Sequence, residues 1–223
     1  MIEYTNIMEH RKKYKIISIT LLSLFLTSFF VIKGKNIDYD HTQTNENTTY
    51  NKKELKLLGK LLFIFDKHIV SISGENNVSN AYHSFFEDLK YIESEEDFRQ
   101  KTKIGTSKHE ALLDKISKNK MFNDIWIYEY GRDIYTKDTN VVYLNLNMEG
   151  KYLEFLKNYG KSAEMIKNYH LAIETSSGIS PSISLSFLQL HDKFDFNKNY
   201  NRLIWMIHFI TVTSERKYIN KNK

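Results

Sequence analysis

The 17 residues from Ile16 to Ile32 carry no charged side chain, and Arg11, Lys12, Lys13 and Lys15 stand just before them. No other feature constrains the chain as strongly. In hydrocarbon, a backbone amide must find its partner within its own segment, so an apolar run that meets lipid has to be helical. This one is at the short end of what covers a bilayer core. Ser18, Thr20, Ser23, Thr27 and Ser28 dilute it, but their hydroxyls can bond back to helix carbonyls. A cleaved signal peptide would end in a small-x-small pattern. Here the run exits through Phe29, Phe30, Val31, Ile32 and Lys33, with only Gly34 as a small residue nearby. The expectation is one uncleaved N-terminal transmembrane helix, a signal-anchor over residues 16–32. Four basic residues close to its start against Lys33 and Lys35 after it favour a cytoplasmic N-terminus. Residues 1–15 are then a short basic cytoplasmic segment, and the rest of the chain is periplasmic or extracellular.

The formal net charge of +5 suggests an acidic partner at first sight. Its distribution argues otherwise. Residues 1–35 hold six of the 32 basic residues against Glu3 and Glu9, and residues 215–223 hold four against Glu215. The body between them therefore carries 22 basic and 24 acidic residues. A balance of that kind lacks the electrostatic footprint of a nucleic-acid binder, so no nucleic-acid partner is expected. The chain has no cysteine, which excludes disulfides, a thiolate nucleophile and cysteine-ligated metal.

Residues 33–51 are polar and almost free of aliphatic side chains, as in a stalk. One domain is expected over residues 52–214, followed by a basic tail, 215–223. Leu55, Leu58, Leu61, Leu62, Phe65, Ile69 and Ile72 recur at helical spacing, with Gly74 placed to end that helix. Ser79 to Tyr91 reads as a second helix and Glu93 to Lys101 as a short third. Ser107 and Glu110 have the spacing of a capping box ahead of Leu112, Leu113 and Ile116. From Ile125 to Tyr130 and from Val141 to Asn147 the composition turns β-branched and aromatic, predicting a hairpin or meander, with Ile134-Tyr135 as a possible middle strand. Helices are then expected over Gly150 to Asn158, Ser162 to Ser176 and Asn201 to Val212. The last is apolar on nearly every side and reads as the central buried helix. Ser180-Pro181 has the form of a helix start, yet Ile183, Leu185 and Phe187 alternate as in a strand. The fold expected is α+β, mainly helical: about seven helices with a small antiparallel hairpin or meander, preceded by the transmembrane helix.

No Gly-x-Ser-x-Gly elbow, Gly-rich phosphate loop or His-Glu-x-x-His helix is present. No cofactor is expected, and the balance is against an enzyme. Trp126, Tyr128, Tyr130 and Tyr143 concentrate aromatics in the expected strands, where half must point away from the core. Exposed Trp and Tyr favour recognition, so these four form the candidate binding surface. The functional expectation is a membrane-anchored, extracytoplasmic interaction domain with a protein partner, for which a protective, immunity-type role would fit. Two alternatives stand beside it. One is a metal-dependent hydrolase using His170, His191, Asp192 and His208, since imidazole and carboxylate suit zinc, manganese or iron. The other is a structural envelope protein. His170 and Glu174 also have the spacing of a helical surface pair, and Arg202 stands within apolar surroundings, where its stem packs while its guanidinium reaches water or pairs with an acid.

Overall fold

Asn51 sets the first element. Its side-chain oxygen accepts from the amides of Lys53 and Glu54 at 3.0 and 3.1 Å, while the Glu54 carboxylate accepts from the Asn51 amide at 2.9 Å. This reciprocal box satisfies amides that a helix start would otherwise leave unpaired. It opens α1, Lys52–Ser73, which ends at Gly74 in the left-handed conformation (φ 75°). The structure, a computed structural model, describes residues 49–92, 95–102, 107–131, 141–214 and 217–218. The expected transmembrane helix at 16–32, most of the stalk and the Ile134-Tyr135 strand lie outside the described residues. Among the described residues, no helix is long and apolar enough to cross a membrane.

Eight more α-helices follow among the described residues: α2 Val78–Lys90, α3 Glu95–Thr102, α4 Ser107–Ser117, α5 Phe122–Ile125, α6 Lys151–Tyr159, α7 Glu164–Ser176, α8 Pro181–Gln189 and α9 Asn199–Thr213. The strands are β1 Trp126–Gly131, β2 Val141–Leu146 and the two-residue β3 Lys217–Tyr218, all antiparallel in the order β1-β2-β3. The molecule is therefore mainly helical with a small antiparallel sheet, and has more helices than the roughly seven expected. The four-residue α5 is one addition. Phe122 and Ile125 are buried on its single turn, and the chain becomes extended at Trp126 (φ −129°, ψ 153°). The two periods of the sequence thus meet inside one apolar run.

Two ambiguities resolve through local chemistry. The Ser180 hydroxyl accepts from the Ile183 amide at 3.3 Å, and Pro181 takes the first helical position, so α8 is a helix. Its alternating apolar residues then point in different directions: Phe187 is buried and Leu185 is 60% exposed. Helix α7 starts at Glu164, two residues later than expected. The Ser162 hydroxyl instead donates back to the Tyr159 carbonyl at 3.1 Å, which ties it to the end of α6.

Helix α9 runs through the middle of the core, packed against α1 and β2. Every residue from Asn201 to Thr211 is buried. Trp205 lies 4.1 Å from Phe86 and 4.3 Å from Phe187 between ring centroids. Phe209 meets Phe65 at 5.6 Å and Phe85 at 5.4 Å. Side chains of this size stabilise by about 1.5–3 kcal/mol each when fully buried, so α9 and the faces of α1, α2 and α8 that cover it carry much of the fold.

One ion pair crosses that core. Arg202 on α9 donates through Nε to Asp66 Oδ1 on α1 at 3.2 Å, and the Tyr82 hydroxyl donates to the same oxygen at 2.8 Å. Its other nitrogens donate to the carbonyls of Phe196 (2.6 Å) and Asn197 (3.3 Å) and to Asn199 Oδ1 (2.6 Å). Arg202 therefore pairs with an acid rather than reaching water. Burial pushes the Asp66 carboxyl upward, against the opposing pull of Arg202 and Tyr82.

Candidate binding surface

The register of the hairpin decides which aromatics can meet a partner. Trp126 lies opposite Leu146, Tyr128 opposite Leu144 and Tyr130 opposite Val142, while Glu129 faces Tyr143. Alternation puts Trp126, Tyr128 and Tyr130 on one face and Tyr143 on the other. Exposure rises along the strand: Trp126 is 0% exposed, Tyr128 52% and Tyr130 76%. β1 thus grows out of the core into solvent.

Trp126 does not belong to the exposed surface. Its indole Nε1 donates to Thr211 Oγ1 on α9 at 2.9 Å, and Phe122 covers its ring at 5.4 Å. It is the buried root of the strand. The Phe122 ring also packs on Tyr128 at 5.5 Å, which limits the rotation of an exposed tyrosine.

Tyr143, on the opposite face, lies over Gly131; a Cβ at that glycine would come within 2.6 Å of its Cε2. Tyr143 also borders a groove of about 580 Å³ between β2, α8 and α9, with Leu185 and Val212 at its exposed rim and His208 on its wall. The four aromatics therefore divide into a core anchor (Trp126), an exposed pair further along β1 (Tyr128 and Tyr130) and a groove residue (Tyr143).

The four residues of the metal reading do not share a centre. His208 Nδ1 lies 2.9 Å from the Tyr169 hydroxyl inside the core, and burial pushes its pKa down to about 3. It is a neutral, hydrogen-bonded core histidine. His170 Nε2 lies 3.4 Å from Glu174 Oε1 one turn away on α7. Asp192 faces Lys193, at 3.7 Å. Among the described residues, no group of three His, Asp or Glu could hold a metal ion.

His191 has different partners. It opens the 3-10 turn His191–Lys193 after α8. Its Nε2 lies 2.7 Å from Glu87 Oε2 and its Nδ1 lies 3.4 Å from His83 Nδ1, both on α2. Hydrogen bonds from His191, then Lys90 and Tyr91, hold the Glu87 carboxyl down at about 2. His83 is pushed down, first by burial and then by His191, while Asp192 and Asp195 oppose. Sequence reasoning missed His83 and Glu87. They have the four-residue spacing of a helical surface pair, but the third member lies 108 residues from His83. No protein-family model, curated protein or solved structure matches the chain.

Proposed function

We propose that this chain is a binding protein. Its residue 52–214 domain is held outside the cytoplasm by the residue 16–32 segment and takes a protein partner on the exposed Tyr128–Tyr130 end of β1. One observation carries the reading: two large aromatics, Tyr128 and Tyr130, stand successively exposed on β1, the terminal strand of the sheet among the described residues. Tyrosine offers a large contact area with a polar tip and few rotatable bonds, so it gains much on burial and loses little entropy. Phe122 reduces that loss further by fixing Tyr128. The immunity-type role fits this mode, because capture of one protein needs a rigid patch and no reacting group.

The test compares wild type with the Tyr128→Ser/Tyr130→Ser double variant as bait on the full-length chain. One partner should be retained by wild type and lost by the variant, with thermal unfolding altered by no more than the small effect of surface changes. Equal retention by a folded variant would remove β1 as the binding surface.

A further inference from the structure

His83 and His191 reach one point from separate elements. His83 projects from α2 and His191 from the turn after α8, with their Nδ1 atoms 3.4 Å apart. Two donors about 2.05 Å from one tetrahedral ion stand about 3.3 Å apart, so the distance between these nitrogens matches that of two ligands, although they face each other and one ring must turn before both reach an ion.

The protonation state of His191 follows from its other side. Nε2 lies 2.7 Å from the Glu87 carboxylate, which takes further donors from Lys90 at 3.1 Å and Tyr91 at 3.0 Å. An ionised carboxylate only accepts. His191 therefore donates from Nε2, and its neutral ring carries the lone pair on Nδ1, toward His83. An imidazole whose far N–H rests on a carboxylate is the usual outer-shell arrangement of a ligating histidine. Burial and then His191 push His83 down, so its ring favours the neutral form that a ligand needs, while Asp192 and Asp195 oppose.

We propose that His83 and His191 form a two-histidine site for a late first-row divalent cation: copper, nickel or zinc. In the ion-free protein, His83 donates its Nδ1 proton to His191. The rings meet nearly head-on, with centroids 5.7 Å apart. On binding, that proton moves to His83 Nε2, and rotation of the half-buried His83 ring turns its freed lone pair onto the ion. Starting from two neutral imidazoles, this exchange releases no net proton. Because no third His, Asp or Glu converges among the described residues, water or a partner's donor completes the coordination. The ion ties the turn after α8 to α2, and because both ligands converge only in the folded chain, it stabilises the fold by mass action.

Titration calorimetry on the full chain with copper, nickel, zinc and manganese chlorides tests this. One ion per chain should bind, copper most tightly and manganese most weakly, and the melting temperature should rise with the metal. His83→Ala should weaken binding more than tenfold, and Glu87→Gln by about tenfold. Unchanged binding in His83→Ala would overturn the site, placing the ion on other histidines such as His10, His41 or His109. Absence of binding by wild type would overturn it as well. A second measurement needs no variant. Substoichiometric copper should broaden the ring resonances of His83 and His191 before those of any other histidine, and the reverse order refutes the assignment.

Discussion

His208 makes the fold sensitive to acid in a calculable way. Its ring is buried against Tyr169, Phe187 and Trp205, and burial takes its pKa to about 3. In the unfolded chain it returns to about 6.5. The folded pKa is the lower one, so between the two values the unfolded state binds more protons and stability falls as pH falls. This loss begins near pH 6.5 and levels off only near pH 3. Between about pH 7.5 and about pH 5, the linkage costs about 2 kcal/mol, a figure that barely changes if the folded value lies a unit higher or lower. Urea unfolding followed by the fluorescence of Trp126 and Trp205 measures it. His208→Gln keeps an acceptor for Tyr169 but cannot titrate. The variant will be less stable than wild type at pH 7.5, since a core contact is altered, but should lose about 2 kcal/mol less on going to pH 5. His83, also pushed down, is present in both proteins and cancels. Parallel curves for the two proteins would show that His208 takes up a proton freely in the folded state, refuting the burial argument.

Two further outcomes are expected. Arg202→Met leaves Asp66 buried without its cation and should cost about 3–5 kcal/mol in chemical denaturation, much of it regained in the Asp66→Asn/Arg202→Met double variant; additive losses would mean that the pair is not coupled. The full chain should stay with membranes through an alkaline wash, and deletion of residues 16–32 should release it; release of the intact chain would refute the anchor.

Much of the helical framework was legible because local chemistry writes it. Gly74, Gly150 and Gly160 bound their helices, and Ser180-Pro181 outweighs the strand-like alternation that follows it. The site was less legible because it depends on depth. Period-two alternation correctly places Trp126, Tyr128 and Tyr130 on one face, but a strand that leaves the core gives one face a gradient of exposure. The signal that Trp126 is buried lies in Thr211, 85 residues away. The Arg202–Asp66 pair spans 136 residues, and apolar spacing carries no sign of which distant acid a buried guanidinium will meet. His191 stood out beside Asp192 in the sequence, yet adjacent side chains in a helical turn diverge. Its actual partners come from α2.

The central claim is that β1 presents Tyr128 and Tyr130 to a protein. Site-specific photocrosslinking in intact cells tests it most directly, with p-benzoylphenylalanine placed at position 130 in one chain and at position 91 in another. Tyr91 is the proper control, being 71% exposed but on the C-terminal end of α2. The account expects a single adduct of defined mass from position 130 and none from position 91. No adduct at 130, or the same adducts from both positions, would contradict it.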